Sequence, residues 1–281
     1  NAFSLDFEAC ANFQVDNFDP WTTYDGDGKT TYGIQGASYT NSGYTGSFIA
    51  FNASATEPAA GDSWAAHGGS RCGACFAATT PPNNDWLMST AITLGNNSSF
   101  SFWAKSATDQ YGLERFNVLL STTNNTYTNF TVKLSGNNYI EAPTTWTQYT
   151  YDLSAYDGQT IYVAIQCVSN DAFAFLIDDI LISSEYSEPD AEFTADNTTV
   201  EAGATVNFTD QSTMMPTSWS WTFDGGTPAT STQQNPSVVY NTPGTYSVSL
   251  TATNAQGTDT ETKTGYITVT RAAEVIVEWN F

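Results

Sequence analysis

Apolar and polar residues alternate with a period of two along most of the chain. In "FSLDFE" Phe3, Leu5 and Phe7 share one face while Asp6 and Glu8 take the other, as they do on a half-buried β-strand. The same alternation runs through "SSFSFWAKS", "RFNVLLST", "WTQYTYDLS" and "TIYVAIQCV", with "AYDG" as turn material between the last two. No stretch keeps a 3.6-residue period over a helical length. "FAFLIDDILIS" closes the region as a long apolar strand broken by the adjacent carboxylates Asp178 and Asp179. About ten strands in roughly 180 residues predict two packed sheets, a sandwich or jelly-roll.

At residues 183 to 190, "SSEYSEPD", the apolar pattern lapses and a proline appears, the usual look of an exposed linker. The predicted organisation is a first domain at 1–184, a linker at 185–190 and a second, immunoglobulin-like sandwich at 191–270. Strands are cleaner there: in "TYSVSLTATN" Tyr246, Val248, Leu250 and Ala252 alternate with Ser and Thr. The segment 271–281 restarts an apolar alternation at Val275, Val277, Trp279 and Phe281. It is expected to be a tail or the first strand of a further domain.

Charge narrows the partners. Seven Lys and Arg stand against 29 Asp and Glu, a formal net charge of -22, which disfavours a nucleic-acid backbone or an anionic lipid surface. A neutral or cationic partner is expected. Aromatic residues make up 14% of the chain, so this is not the acidic disordered class, which lacks them. No run approaches the roughly 18 apolar residues that span a bilayer, and direct membrane insertion is not expected. The opening "NAFSLDFEA" is already strand-like, so any secretion signal is expected to have been removed. The four cysteines, Cys10, Cys72, Cys75 and Cys167, allow three disulfide pairings and by themselves fix no compartment.

The candidate chemistry lies in acidic clusters. "WTTYDGDGKT" sets Asp25 and Asp27 two residues apart between glycines that permit a tight turn. Calcium takes six to eight hard oxygen ligands from carboxylates, carbonyls and water, but the rest of the twelve-residue EF-hand pattern is missing. Asp178 and Asp179 cannot both face one side of a strand. One of them must meet the interior or a sheet edge, where an unpaired charge costs several kcal/mol. With so few Lys and Arg, a divalent cation is a fitting partner. The alternative is plain: Asp-Gly-Asp-Gly is also an ordinary turn, and Asp178 could cap a bulge by accepting backbone N–H bonds.

Other chemistry finds less support. "HGGSRCGAC" offers His67, Cys72 and Cys75 to a zinc ion or a redox pair, but the segment reads as a strand and no second Cys-x-x-Cys follows. There is one histidine and no Gly-x-Ser-x-Gly elbow, so no catalytic residue is assigned and an enzyme is not expected. Most of the tryptophans belong in a sandwich core. Trp64, beside "GDS", is the candidate surface aromatic for stacking on a sugar ring.

Two stretches resemble known families. "SWSWTFDGG", "QNPSVVYNTPGTYSVSLTATNAQG" and "GYITV" resemble the PKD domain, an immunoglobulin-like module of secreted and surface proteins. The family's usual Phe-Gly-Asp-Gly here reads Phe223, Asp224, Gly225, Gly226. The resemblance implies a spacer or contact module. "LDFEA", "WTTYDGDGKT", "SWAAHGGSR", "NDWLMSTAITL" and "FLIDDILIS", in that order over residues 5 to 183, resemble the cleaved-adhesin domain, also called choice-of-anchor J, of Bacteroidetes surface proteins. That resemblance implies a galactose-binding-like jelly-roll whose first and last strands share a structural calcium ion. The implied composite site is Glu8, Asp25, Asp27 and Asp178, with Asp179 second to Asp178. Together the resemblances lead us to expect a secreted or outer-membrane-anchored adhesion protein that binds a glycan or host protein. The alternative is an accessory region of a larger secreted hydrolase or peptidase.

Overall fold

The computed structural model describes residues 2–271; the alternation at 275–281 lies outside the described residues. Two compact units divide the chain, Asn1–Glu185 and Tyr186–Phe281. The described residues are all-β, with four single-turn 3-10 helices between strands.

In the first unit one sheet runs in the order Thr147–Asp152, Asn96–Ser106, Ala174–Glu185, Cys72–Phe76, Ile49–Phe51. The other runs Ile140–Glu141, Arg115–Ser121, Thr160–Cys167, Asp85–Met88, Thr22–Asp25. Alternate residues of both enter one core. Phe100, Phe102 and Ala104 come from the first sheet, and Phe116, Val118, Leu120, Ile161, Val163 and Ile165 from the second. This is the period of two expressed as packing.

Two strands of the first sheet are buried on both faces. Phe175 and Ile177 enter the shared core, while Ala174 and Leu176 join a second apolar cluster with Phe13, Phe51, Trp64 and Phe76 on the outer side. Cys75 and Cys72 divide in the same way between the two clusters. Loops roof the outer side, which explains why "CGACF" and "AFLI" read as continuous apolar runs instead of alternating ones.

The last strand organises the site region. Along one edge it pairs with Asn96–Ser106; along the other, Ala2–Leu5 pairs with residues 180–183 and Cys72–Phe76 with residues 174–177. The first strand and Cys72–Phe76 therefore meet end to end, and the gap falls at Asp178 and Asp179. There the register shifts and Asp179 takes φ 46, the signature of a bulge.

The second unit packs a four-stranded sheet against a five-stranded one. Trp221, Phe193, Phe208, Phe223, Val248 and Leu250 fill the space between. Within that core the Trp221 indole N–H donates to the Gln233 carbonyl at 2.9 Å.

One buried acid in the first unit yields a pH prediction. Glu114 is fully buried, accepts from the Phe173 N–H at 2.5 Å, and leaves Oε2 without a hydrogen bond. Burial pushes its pKa from an ordinary 4.5 up to about 7, against hydrogen bonds that lower it. A folded value above the unfolded one favours the protonated form. The stability this contributes is fully present below the unfolded value and is lost as pH rises through about 7. In calcium-free buffer, Glu114→Gln is expected to flatten that part of the profile. Urea midpoints at about pH 5 and about pH 8 measure it; an unchanged slope contradicts it.

Candidate functional site

The strand Thr22–Asp25 pairs antiparallel with Asp85–Met88 so that Asp25 stands directly opposite Asp85. Two like charges facing each other across a ladder repel. The chain then turns tightly. The Gly26 N–H bonds the Asn84 carbonyl at 2.8 Å, and a Cβ at Gly26 would lie 2.4 Å from the Asn84 side chain, so glycine is required by close approach. The turn folds Asp27 back, and the ligand oxygens of Asp25, Asp27 and Asp85 come within 4.8 Å of one another.

Most of these oxygens have donors. Asp25 Oδ1 accepts from the N–H groups of Asp27 and Gly28 at 3.2 and 2.6 Å. Asp27 accepts from Lys29 N–H at 2.8 Å and Asn84 N–H at 3.0 Å. Asp85 Oδ2 accepts from the Asn83 amide at 2.8 Å. Asp85 Oδ1 has no partner, although the residue is only 2% exposed. Burial first, then repulsion from Asp27 and Asp25, push the Asp85 carboxyl up to about 8. A buried, unpartnered carboxylate oxygen beside two further carboxylates is an arrangement that a cation relieves.

Glu8, Asp178 and Asp179 lie elsewhere, against the loop 67–71 that fills the gap beside the last strand. Asp178, fully buried, accepts from the N–H groups of His67 and Gly68 at 2.9 and 3.1 Å and from that of Asp179 at 2.8 Å. Asp179 pairs with His67 Nδ1 at 2.6 Å. The His67 ring in turn stacks on Trp103 at 3.9 Å. Glu8 accepts from Ser70 and Arg71 N–H at 2.8 and 2.6 Å and from the Arg71 guanidinium at 3.3 Å. A Cβ at Gly69, which has φ +59, would lie 2.5 Å from that carboxylate.

The structure divides the expected composite set: Asp25 and Asp27 converge with Asp85, while Glu8, Asp178 and Asp179 lie against the 67–71 loop. Among the described residues, the group of three or more ligand-type side chains that converges is Asp25, Asp27 and Asp85. Glu8, Asp178 and Asp179 meet N–H donors and cationic or imidazole partners of the 67–71 loop. The loop satisfies Asp178 in the way a bulge cap does.

One further expectation changes. Trp64 is no surface platform: it is 8% exposed and stacks on Phe76 at 5.5 Å and 14°, because its loop roofs the outer face of the first sheet. Cys72 and Cys75, three apart on a strand, enter opposite clusters, so they cannot share a zinc ion with His67. All four cysteines are free thiols. Sequence reasoning missed Asp85. The available signal was a carboxylate opening the apolar strand "DWLM" directly after two asparagines.

Comparison with known proteins adds a family context. Residues 186–269 match the PKD domain model. The chain is 28% identical over 215 residues to hemagglutinin A of Porphyromonas gingivalis, an alignment covering 70% of this chain and 9% of that protein. It thus spans under a tenth of that relative's length. Among solved structures, the K1 cleaved adhesin domain of Lys-gingipain from Porphyromonas gingivalis aligns at 23% identity and TM-score 0.47, covering 66% of this chain and 99% of that one. The PKD1 domain of Vibrio anguillarum Epp aligns at 30% identity and TM-score 0.26, covering 31% of this chain and all of that one. The chain thus matches the PKD domain model at residues 186–269 and is similar, over 70% of its length, to a bacterial hemagglutinin.

Proposed function

We propose that this chain is a non-catalytic, extracellular adhesion and ligand-binding protein whose larger sandwich is stabilised by calcium, with the PKD domain as a spacer. Homology to hemagglutinin A supports the adhesion reading. No helix among the described residues is long and apolar enough to cross a membrane. The observation that carries the calcium reading is the orphaned Asp85 Oδ1 among three carboxylates.

The donor set is all oxygen, with no imidazole or thiolate in the converging group. That chemistry suits a hard cation, and an irregular turn suits calcium better than magnesium, which demands a stricter octahedron. Asp25, Asp27 and Asp85 would hold it. Bound there, the ion supplies positive charge that pins the 25–29 turn to the 83–85 segment. Because it binds only the folded arrangement, it adds stability through mass action.

The binding reading is tested with the purified full chain, immobilised in calcium-containing buffer and probed with a glycan array and with extracellular matrix proteins. Saturable retention of a glycan or a matrix protein is expected. Failure to retain either class contradicts the reading.

A further inference from the structure

Two of the most exposed large aromatic side chains, Tyr111 at 58% and Tyr32 at 42%, border one concave region of the first unit. It consists of hollows of about 520 and about 300 Å³ that share Tyr32, Tyr111 and Phe173. From this we infer that the groove between Tyr32 and Tyr111 binds a neutral pyranose sugar. The inference deepens the binding reading above and rests on it.

The floor is rigid and aromatic. Phe173 packs edge-on against Trp64 at 5.4 Å and against Tyr111 at 6.2 Å, and Trp64 is itself locked in the outer core by its stack on Phe76. The walls are pinned by backbone. Tyr32 N–H bonds the Ala77 carbonyl at 2.9 Å, Ala77 N–H bonds the Phe173 carbonyl at 2.8 Å, and Gly112 N–H closes the Tyr111 turn onto Asp109 at 3.1 Å. The groove is pre-formed, so a ligand meets little ordering cost.

Two other exposed tyrosines each have a covered face. Tyr127 stacks on Tyr24 at 4.1 Å, and the Arg115 guanidinium covers Tyr139 at 4.6 Å. Neither the Tyr32 nor the Tyr111 hydroxyl has a hydrogen-bond partner among the described residues, and the Tyr32 ring has no aromatic or cationic neighbour there.

The chemistry of the lining selects the occupant. Flat aromatic faces carry a negative quadrupole and attract the weakly positive C–H faces of a pyranose ring. Gln35, Gln110 and Asp171 on the rim provide donors and acceptors for hydroxyl groups. No Lys or Arg lines either hollow, and Asp171 together with the net charge of -22 disfavours a sialylated or sulfated glycan. The concavity has the size of a small-ligand cleft, whereas a stable protein partner would need on the order of 800 Å² from each side.

The test is an array of neutral hexose and N-acetylhexosamine oligosaccharides, with sialylated and sulfated counterparts, probed by the intact chain and by Tyr32→Ala and Tyr111→Ala. Retention of neutral sugars is expected, with affinity reduced at least about tenfold in each variant, the range of an interface hot spot, and an unchanged thermal melt because both rings are exposed. Undiminished retention in both variants overturns the groove while leaving glycan binding intact. Preference for the acidic sugars overturns the neutral assignment. Absence of any sugar signal overturns the inference and leaves the wider binding reading to the matrix-protein assay.

Discussion

Asp85→Asn is expected to abolish the calcium dependence of the melting temperature. In the wild-type protein, free calcium at about a thousand times its dissociation constant adds about 4 kcal/mol. For a unit of this size that is a rise of roughly 10 °C over the chelated protein. The Asn variant loses the ionised ligand and gains no such rise. In chelator it is expected to melt at or above the wild type, since it removes a buried carboxylate that faces Asp25 across the ladder and has an unpartnered oxygen. Differential scanning calorimetry of both proteins, with and without chelator, reads all four values. Glu8→Gln and Asp178→Asn are the controls. Each loses hydrogen bonds to the 67–71 loop, so each is expected to lower the melt by the same amount in calcium and in chelator. A calcium-dependent loss in those two, with none at Asp85, places the ion at the first-strand and last-strand junction instead.

Trp221→Ala is expected to cost about 3 to 5 kcal/mol, the range for truncating a buried aromatic. The ring is fully buried and touches Phe193, Phe208 and Phe223 at centroid distances of 5.2, 5.8 and 5.6 Å. Truncation leaves a cavity among three aromatics and strips the Gln233 carbonyl of its donor. For a domain of this size the shift is more than about 12 °C. It is expected in one thermal transition, with the calcium-dependent transition unmoved. A calcium-dependent transition that falls with it contradicts the assignment of the two cores to separate units.

What was legible in the sequence follows from the range over which each cause acts. Period-two alternation is local, so "SSFSFWAKS" and "TYSVSLTATN" announce strands and even their buried faces. The adjacent carboxylates of "LIDDI" correctly signalled that something unusual happens in that strand. The strand carries a bulge there, with Asp179 at φ 46 and loop N–H groups meeting Asp178. Spacing alone does not announce a bulge or the loop that meets it.

Asp85 carried only a faint local signal, for a different reason. Its meaning comes from a partner 60 residues away, and register across sheets is not written in local pattern. Trp64 failed likewise. Polar flanks suggested exposure, but a short helical turn at Asp62–Trp64 turns the indole inward onto the second apolar cluster. Tyr32 and Tyr111 look like ordinary strand and turn tyrosines until the fold sets both beside Phe173.

The account depends on a divalent ion between Asp25, Asp27 and Asp85. Diffraction from crystals grown in calcium and soaked with terbium tests it most directly, because the anomalous signal locates the ion without reference to the protein's stability. The predicted result is one strong peak in contact with oxygens of all three carboxylates. A peak against Glu8, Asp178 and Asp179 with none at Asp85, or no peak at either place, contradicts it.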